Sequence, residues 1–219
     1  MYIATSGFFH AWTGKGPGYA SPAAFTIGGV RQIATMTEGS IEGIDAKTGA
    51  SLWSIPFPDE WHENIVTPIW SGTHLIVSGV RQGTHAYTLT RSGGQWQTAQ
   101  AWKNPDVAMY MSTPVLADGV LFGLSAKNKG QIFALDTATG TVKWRTEGRT
   151  ADQAAILLTS ANVLVQTTGG ELLLLKRSSE KYEEEKRYSV ADGSTWAVPA
   201  VLPDALIIRD AGGVTKLSL

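Results

Sequence analysis

The chain has 219 residues, of which 43% are hydrophobic and 17% charged, and its formal net charge is −1. That balance supports a packed core, argues against disorder and leaves no basic stripe to neutralise phosphates, so no nucleic acid is expected as a partner. Cysteine is absent, which removes disulfides, thiolate metal sites and a cysteine nucleophile. No apolar run reaches the roughly 18 residues of a membrane-spanning helix. Residues 1–12 carry neither the basic n-region nor the apolar h-region of a signal peptide.

Large aromatics recur along the chain at Trp12, Trp53, Trp102, Trp144 and Tyr188, with gaps of 41, 49, 42 and 44 residues. Pro22, Pro68, Pro114 and Pro199 run beside them, each opening an apolar segment. A period near 44 residues marks a repeat architecture. In chain order, residues 1–17 read as a partial unit, because Ile3–Trp12 resembles the end of a third strand, a turn and a fourth strand. Residues 18–58 form a full unit. Its turns are Gly28-Gly29 and Asp45-Ala-Lys-Thr-Gly49, and Trp53 lies in its last strand. Residues 64–104 follow, with a degenerate turn at Arg91–Gly94 and with Trp102 in the last strand.

Residues 110–148 show the pattern most clearly. The expected strands are 111–116, 120–124, 131–135 and 141–145, which we label A to D. Between them lie the turn at Ala117–Gly119, the polar loop 126–130 and the turn Asp136-Thr-Ala-Thr-Gly140. Asp in such a turn accepts hydrogen bonds from nearby backbone N–H groups, and Gly takes the left-handed position. The Trp four residues beyond that Gly is placed to pack between neighbouring units. Residues 154–191 replace the second turn with a mixed charge run, 176–187, read as a solvated hairpin rather than a helix. Residues 195–219 hold strands A to C only. Four short strands per period give an all-β fold, a β-propeller of four-stranded antiparallel blades, with about five blades in this chain.

Asp45–Trp53 and Asp136–Trp144 resemble the tryptophan-docking motif of the PQQ-like β-propeller repeat family, which includes quinoprotein dehydrogenases and BamB-like lipoproteins of outer-membrane β-barrel assembly. The resemblance covers essentially the whole chain. It makes Trp12, Asp45, Gly49, Trp53, Trp102, Asp136, Gly140 and Trp144 the repeat anchors. It also implies seven or eight blades in the family and a periplasmic or secreted location. Two arrangements of the ends stay open. Either Phe8–Trp12 pairs with the last strand and closes a five-bladed ring, or the chain is part of a longer propeller. A redundant strand at Tyr2–Ala4 favours the second, in which open blade edges would allow self-association.

In a blade, the loop entering strand A and the B–C loop lie at the same end. That topology collects Tyr19, Glu38, Trp61, His62, Glu63, Asn64, Arg81, Gln82, Tyr110, Lys127, Asn128, Lys129, Asp192 and Trp196 on one rim, a candidate surface for a protein partner or small ligand. Asp59-Glu-Trp-His-Glu63 has metal-donor side chains but lacks the paired histidines of a zinc site, so no metal is expected there. His74 and His85 are expected in surface or capping roles, as is His10. The glycine pairs sit between strand-like runs and read as turns rather than phosphate loops.

No hydrolase constellation is present. The resemblance implies PQQ as a cofactor, yet the adjacent-cysteine disulfide and acidic calcium cluster of quinoprotein dehydrogenases have no counterpart here. The reading is therefore a non-catalytic propeller scaffold. The alternative is one portion of a quinoprotein dehydrogenase whose remaining blades lie elsewhere.

Overall fold

A computed structural model describes residues 18–218. Trp12, His10 and the proposed pairing of Phe8–Trp12 lie outside the described residues. The first sheet contains β1 (Ala23–Ile27), β2 (Val30–Met36), β3 (Ser40–Asp45) and β4 (Ser51–Pro56). The second contains β5 (Ile69–Trp70), β6 (Leu75–Gly79), β7 (Gly83–Ser92) and β8 (Gln95–Asn104). The third contains β9 (Val115–Ala117), β10 (Val120–Ser125), β11 (Gln131–Asp136) and β12 (Val142–Arg145). The fourth contains β13 (Ala154–Leu158), β14 (Asn162–Thr167), β15 (Glu171–Lys176) and β16 (Glu184–Ser189). The fifth has three strands, β17 (Ala200–Leu202), β18 (Ala205–Arg209) and β19 (Val214–Ser218). Every sheet is antiparallel and follows chain order, as propeller blades do. The one helical piece among the described residues is a 3-10 turn at Lys127–Lys129, where a loop was expected.

The middle strands of the blades are buried on both faces, and their sequences are near-continuous apolar runs for that reason. The fourth strands are largely exposed on at least one face and carry the polar residues. The charge run 176–187 is a hairpin between β15 and β16, as its repeat context predicts. Strand β9 is shorter than the expected 111–116. The Gln153 carboxamide oxygen accepts from the Met111 N–H and the Ser112 hydroxyl, at 3.3 and 3.0 Å, which draws that stretch out of the ladder.

The chain divides into two compact units, one of residues 18–110 with 137–140 and the other of residues 111–136 with 141–218. In the first, Phe25, Met36, Ile41, Trp53, Phe57, Leu75, Val77, Tyr87 and Leu89 form a shared core of two blades. In the second, Phe122, Leu124, Ile132, Ile156, Val163, Val165, Leu173 and Leu175 do the same. His85 belongs to the interior of the first unit. It is 7% exposed, with Nε2 3.1 Å from the Gln82 carbonyl and its ring edge-on to Phe57. The surface or capping role expected for it is corrected accordingly. β7 is buried on both faces over Gly83–Tyr87, so His85 lies inside on the same face as Tyr87 and Ala86 lies inside on the other.

A register shift recurs at one position between the last two strands of all four complete blades. It falls at Gly43/Ile44, Ala86/Tyr87, Ala134/Leu135 and Leu174/Leu175. The residue paired just before each shift is Trp53, Trp102, Trp144 and Lys186, respectively. In the fourth blade the position equivalent to these tryptophans is thus held by Lys186 and not by Tyr188. Tyr188, two residues further on, is 45% exposed and pairs with Leu172. Each Trp faces Gly43, Ala86 or Ala134, and Leu174 stands opposite the lysine.

The turns ahead of the tryptophans are built alike. Asp45 and Asp136 each donate their N–H across the turn, to Ala50 and Thr141 at 2.9 Å. Asp45 also accepts from the N–H groups of Lys47 and Thr48, each at 2.8 Å. These bonds hold its carboxyl below the usual aspartate range. Gly49 and Gly140 both have positive φ, 75° and 73°. A side chain on Gly140 would also meet the Trp102 indole at 2.5 Å.

The indole N–H of Trp102 donates to the Thr137 carbonyl at 3.0 Å, and that of Trp144 to the Ser178 carbonyl at 2.8 Å. Thr137 and Ser178 occupy the corresponding C–D turn of their blades, although the Asp-x-x-Thr-Gly sequence is missing around Ser178. Trp53 differs. It is 5% exposed, but its N–H bonds Gln32 of its own sheet at 2.7 Å. The β7–β8 hairpin runs on as paired strands past the bulge to Ser92 and Gln95, so the chain makes no C–D turn at the usual place. Trp53 thus shares the cross-strand position of Trp102 and Trp144 but not their indole hydrogen bond to a neighbouring turn.

Candidate functional site

The loops at the A-entry end of the first unit converge on one buried carboxylate. Asp59 follows Pro58 at the end of the first blade and is 4% exposed. Its Oδ2 accepts from the N–H groups of Trp61 and Glu63, each at 3.0 Å. Such an Asp-capped turn is the local structure that Asp-Glu-Trp favours. Its Oδ1 accepts from Arg81 at 2.9 Å and from the Gln82 amide at 3.3 Å, both in the β6–β7 loop. Burial pushes the Asp59 carboxyl up, but the two backbone N–H groups and Arg81 outweigh it and leave it below its ordinary value.

This anchoring displays Trp61. The Arg81 guanidinium lies over its ring at 3.6 Å from the centroid, yet Trp61 remains 68% exposed. Paired with Asp59 and stacked on the indole, Arg81 is fixed twice. The next residue, His62, takes a left-handed backbone with φ of 59°, a conformation disfavoured for a side chain of this kind. Its Nδ1 lies 3.4 Å from the Glu38 carboxylate. Asn64 is fully buried, and its side-chain amide donates to the carbonyls of Thr37 and Phe57 at 2.8 and 2.9 Å, tying the loop to both sides of the open end of the β3–β4 ribbon. The Asn64 backbone carbonyl accepts from the Tyr19 N–H at 3.1 Å, and the Tyr19 side chain is 72% exposed. The Tyr110 hydroxyl donates to Glu63 at 3.0 Å, and burial together with Glu63 raises its pKa.

Nine of the rim residues read from the sequence, Tyr19, Glu38, Trp61, His62, Glu63, Asn64, Arg81, Gln82 and Tyr110, thus belong to one connected set of loops in the first unit. Lys127, Asn128, Lys129 and Trp196 belong to the second unit. There the 3-10 turn holds Asn128 and Lys129 at φ of 52° and 63°, and the Asn128 amide donates to Gln131 at 2.9 Å. Trp196 is 64% exposed and lines a groove of about 230 Å³ with Met111, Pro114, Gln153, Ile156 and Val198. The residue that organises the first set, Asp59, was not among the rim candidates. The signal for it was an Asp two residues ahead of a Trp, following a proline.

Among the described residues no three His, Asp or Glu side chains gather in a metal-holding arrangement. The calcium ligands and paired cysteines through which the quinone cofactor of the resembled dehydrogenases is held have no counterpart in these residues, which therefore do not fit that group. Among the described residues no helix is long and apolar enough to cross a membrane.

A family model described as outer membrane protein assembly factor BamB matches residues 37–196. No curated protein matches the sequence. Among solved structures, BamB from Moraxella catarrhalis aligns with a TM-score of 0.62 at 14% identity, over 92% of this chain and 58% of that one. A chain of the mitotic checkpoint complex aligns with a TM-score of 0.64 at 13% identity, over 85% of this chain and 60% of that one. The computationally designed Ika8 protein aligns with a TM-score of 0.53 at 10% identity, over 91% and 70%. At these identities the likeness speaks for the propeller fold. The chain spans less than two thirds of the Moraxella structure.

Proposed function

The chain belongs to the family of outer membrane protein assembly factor BamB, and on that premise we propose that it is a non-catalytic propeller scaffold, exported to the periplasm, whose A-entry rim docks a protein partner. The observation that carries this reading is Trp61, displayed to solvent while its backbone is pinned by Asp59 and one ring face is covered by Arg81. Tryptophan, tyrosine and arginine dominate the energetics of protein interfaces. A side chain already held in place gives up little conformational freedom on binding. Tyr19 and Tyr110 extend the same aromatic surface. The tryptophans at the ends of the blades serve the fold, as a tryptophan-docking repeat would. Outer strand edges offer a second route, self-association, and β8 suits it best. It is ten residues long and uncharged from Gln95 to Trp102.

A photo-crosslinking residue placed at Tyr19 in cells tests the rim. The expected result is an adduct with one defined protein that is absent when the same residue replaces Thr73 in the β5–β6 turn. An adduct with a second copy of this chain marks the self-association route. No adduct at Tyr19, or equal adducts at both positions, sinks the rim as a docking surface.

A further inference from the structure

We propose that the docking rim of the first unit selects a basic protein segment, one whose Lys or Arg side chain stacks on the free face of Trp61. This rests on the reading of that rim as a protein-docking surface and adds the chemistry of its partner. The charges of the unit are unevenly placed. Residues 18–110 contain seven carboxylate side chains and five Lys or Arg side chains. Five of the carboxylates, Glu38, Asp59, Glu60, Glu63 and Asp106, sit in the loops at the A-entry end, against one loop cation, Arg81, and Lys103 at the end of β8. The chain as a whole is nearly neutral at −1, so this field belongs to one end and not to the composition.

Arg81 is already committed: it pairs with the buried Asp59 and lies on one face of Trp61, and Lys103 stands on β8, which leaves Glu60 and Glu63 on the Trp61 loop itself to set the local potential. Glu63 is held in place by the Tyr110 hydroxyl. An exposed indole between Glu60 and Glu63 in the chain attracts a cation through both the ring quadrupole and the local field. The same field repels phosphate, so an anionic membrane surface or a nucleic acid is a poor occupant. A basic protein segment is the complementary one.

Fluorescence anisotropy on the purified full chain tests this with three labelled peptides of equal length, rich in Lys and Phe, in Glu and Phe, or in Ser and Phe. The basic peptide is expected to bind at least tenfold more tightly than the other two and to weaken severalfold between 25 and 250 mM NaCl. Glu60→Lys, at an exposed position that leaves the fold untouched, is expected to weaken it about three- to tenfold, and Trp61→Ala by a similar factor. Thr73→Lys, outside the rim, is expected to change nothing. Equal binding of all three peptides, salt-independent binding, or an unchanged affinity in Glu60→Lys overturns the inference. Absence of basic-peptide binding while crosslinking at Tyr19 still captures a protein overturns the inference alone and leaves the docking rim standing. Failure of both experiments removes the rim as well.

Discussion

The indole of Trp53 occupies the space that a side chain on Gly43 would need. A Cβ built on Gly43 falls 1.9 Å from Trp53 Cε2, with Cζ2 and Nε1 each at 2.3 Å. The two residues are cross-strand partners beside the recurring bulge. Ala86 and Ala134 stand in the same relation to Trp102 and Trp144, and Leu174 to Lys186. A small residue lies opposite each tryptophan, where the ring needs the space, and Leu174 stands opposite the exposed Lys186.

Gly43→Ala is therefore expected to destabilise the protein by about 1–3 kcal/mol, the usual cost of forcing a methyl group into a filled core. Gly43 has an ordinary backbone, so the effect reads sterics and not lost conformational freedom. Urea unfolding followed by tryptophan fluorescence would show a lower midpoint with an unchanged slope. A midpoint equal to that of the wild type would mean that the Trp53 ring tilts aside without loss.

Most of the blade pattern was legible because each strand is a short apolar run closed by a turn with its own chemistry, as at Asp45–Gly49 and Asp136–Gly140. The spacing of aromatics misled in two places. The 49-residue gap before Trp102 reflects the hairpin that continues to Ser92 and Gln95, and a charged hairpin placed Lys186 where Tyr188 was read. A bulge adds an unpaired residue that counting along the sequence cannot locate. The rim was legible as topology, but the role of Asp59 was not. Its burial depends on Arg81, 22 residues away in sequence and on another blade.

Trp144 and Trp102 should behave as a pair. Trp144→Ala is expected to cost about 3 kcal/mol, near the lower bound for a large aromatic because the ring is only half-buried. Trp144→Phe retains ring packing with Phe122 and Tyr182 but loses the bond to the Ser178 carbonyl, and should cost about 0.5–1.5 kcal/mol for that bond. Trp102→Ala and Trp102→Phe should show the same order. If Phe proves as costly as Ala at either site, the indole N–H and not the ring is what holds the neighbouring turn.

Arg81→Ala strips the cation from a carboxylate whose side chain is 1% exposed. The Asp59 pKa should then rise, and exchange protection of the Trp61 and Glu63 amides should fall, since both donate to that carboxylate. The folded pKa of Asp59 lies below its unfolded value, so its stabilisation is complete above about pH 4 and is lost as pH falls through the folded value. Asp59→Asn should flatten that acid limb in a pH series of urea midpoints. Hydrogen exchange unaltered in Arg81→Ala would show that the loop is ordered without its ion pair.

His85 provides the opposite limb. Burial holds its pKa below the ordinary histidine value of 6.5, and Lys103 pushes the same way, while the bond to the Gln82 carbonyl opposes them. Gln100 opposes the shift as well, and Tyr87, Phe57 and Gln100, which surround the ring, supply no negative charge. The folded chain therefore resists a proton that the unfolded chain takes up below about pH 6.5. Stability must fall as pH drops from about 6.5 towards the lowered folded value, with a slope of at most about 1.4 kcal/mol per pH unit. His85→Gln removes the titration while keeping a polar group near Gln82. Urea midpoints of the wild type and His85→Gln at pH 7.5, 6.5 and 5.5 isolate the effect as a difference. The wild type should lose its advantage over the variant as pH falls. A difference that is flat, or that grows in acid, would mean that the buried ring accepts its proton inside the folded blade.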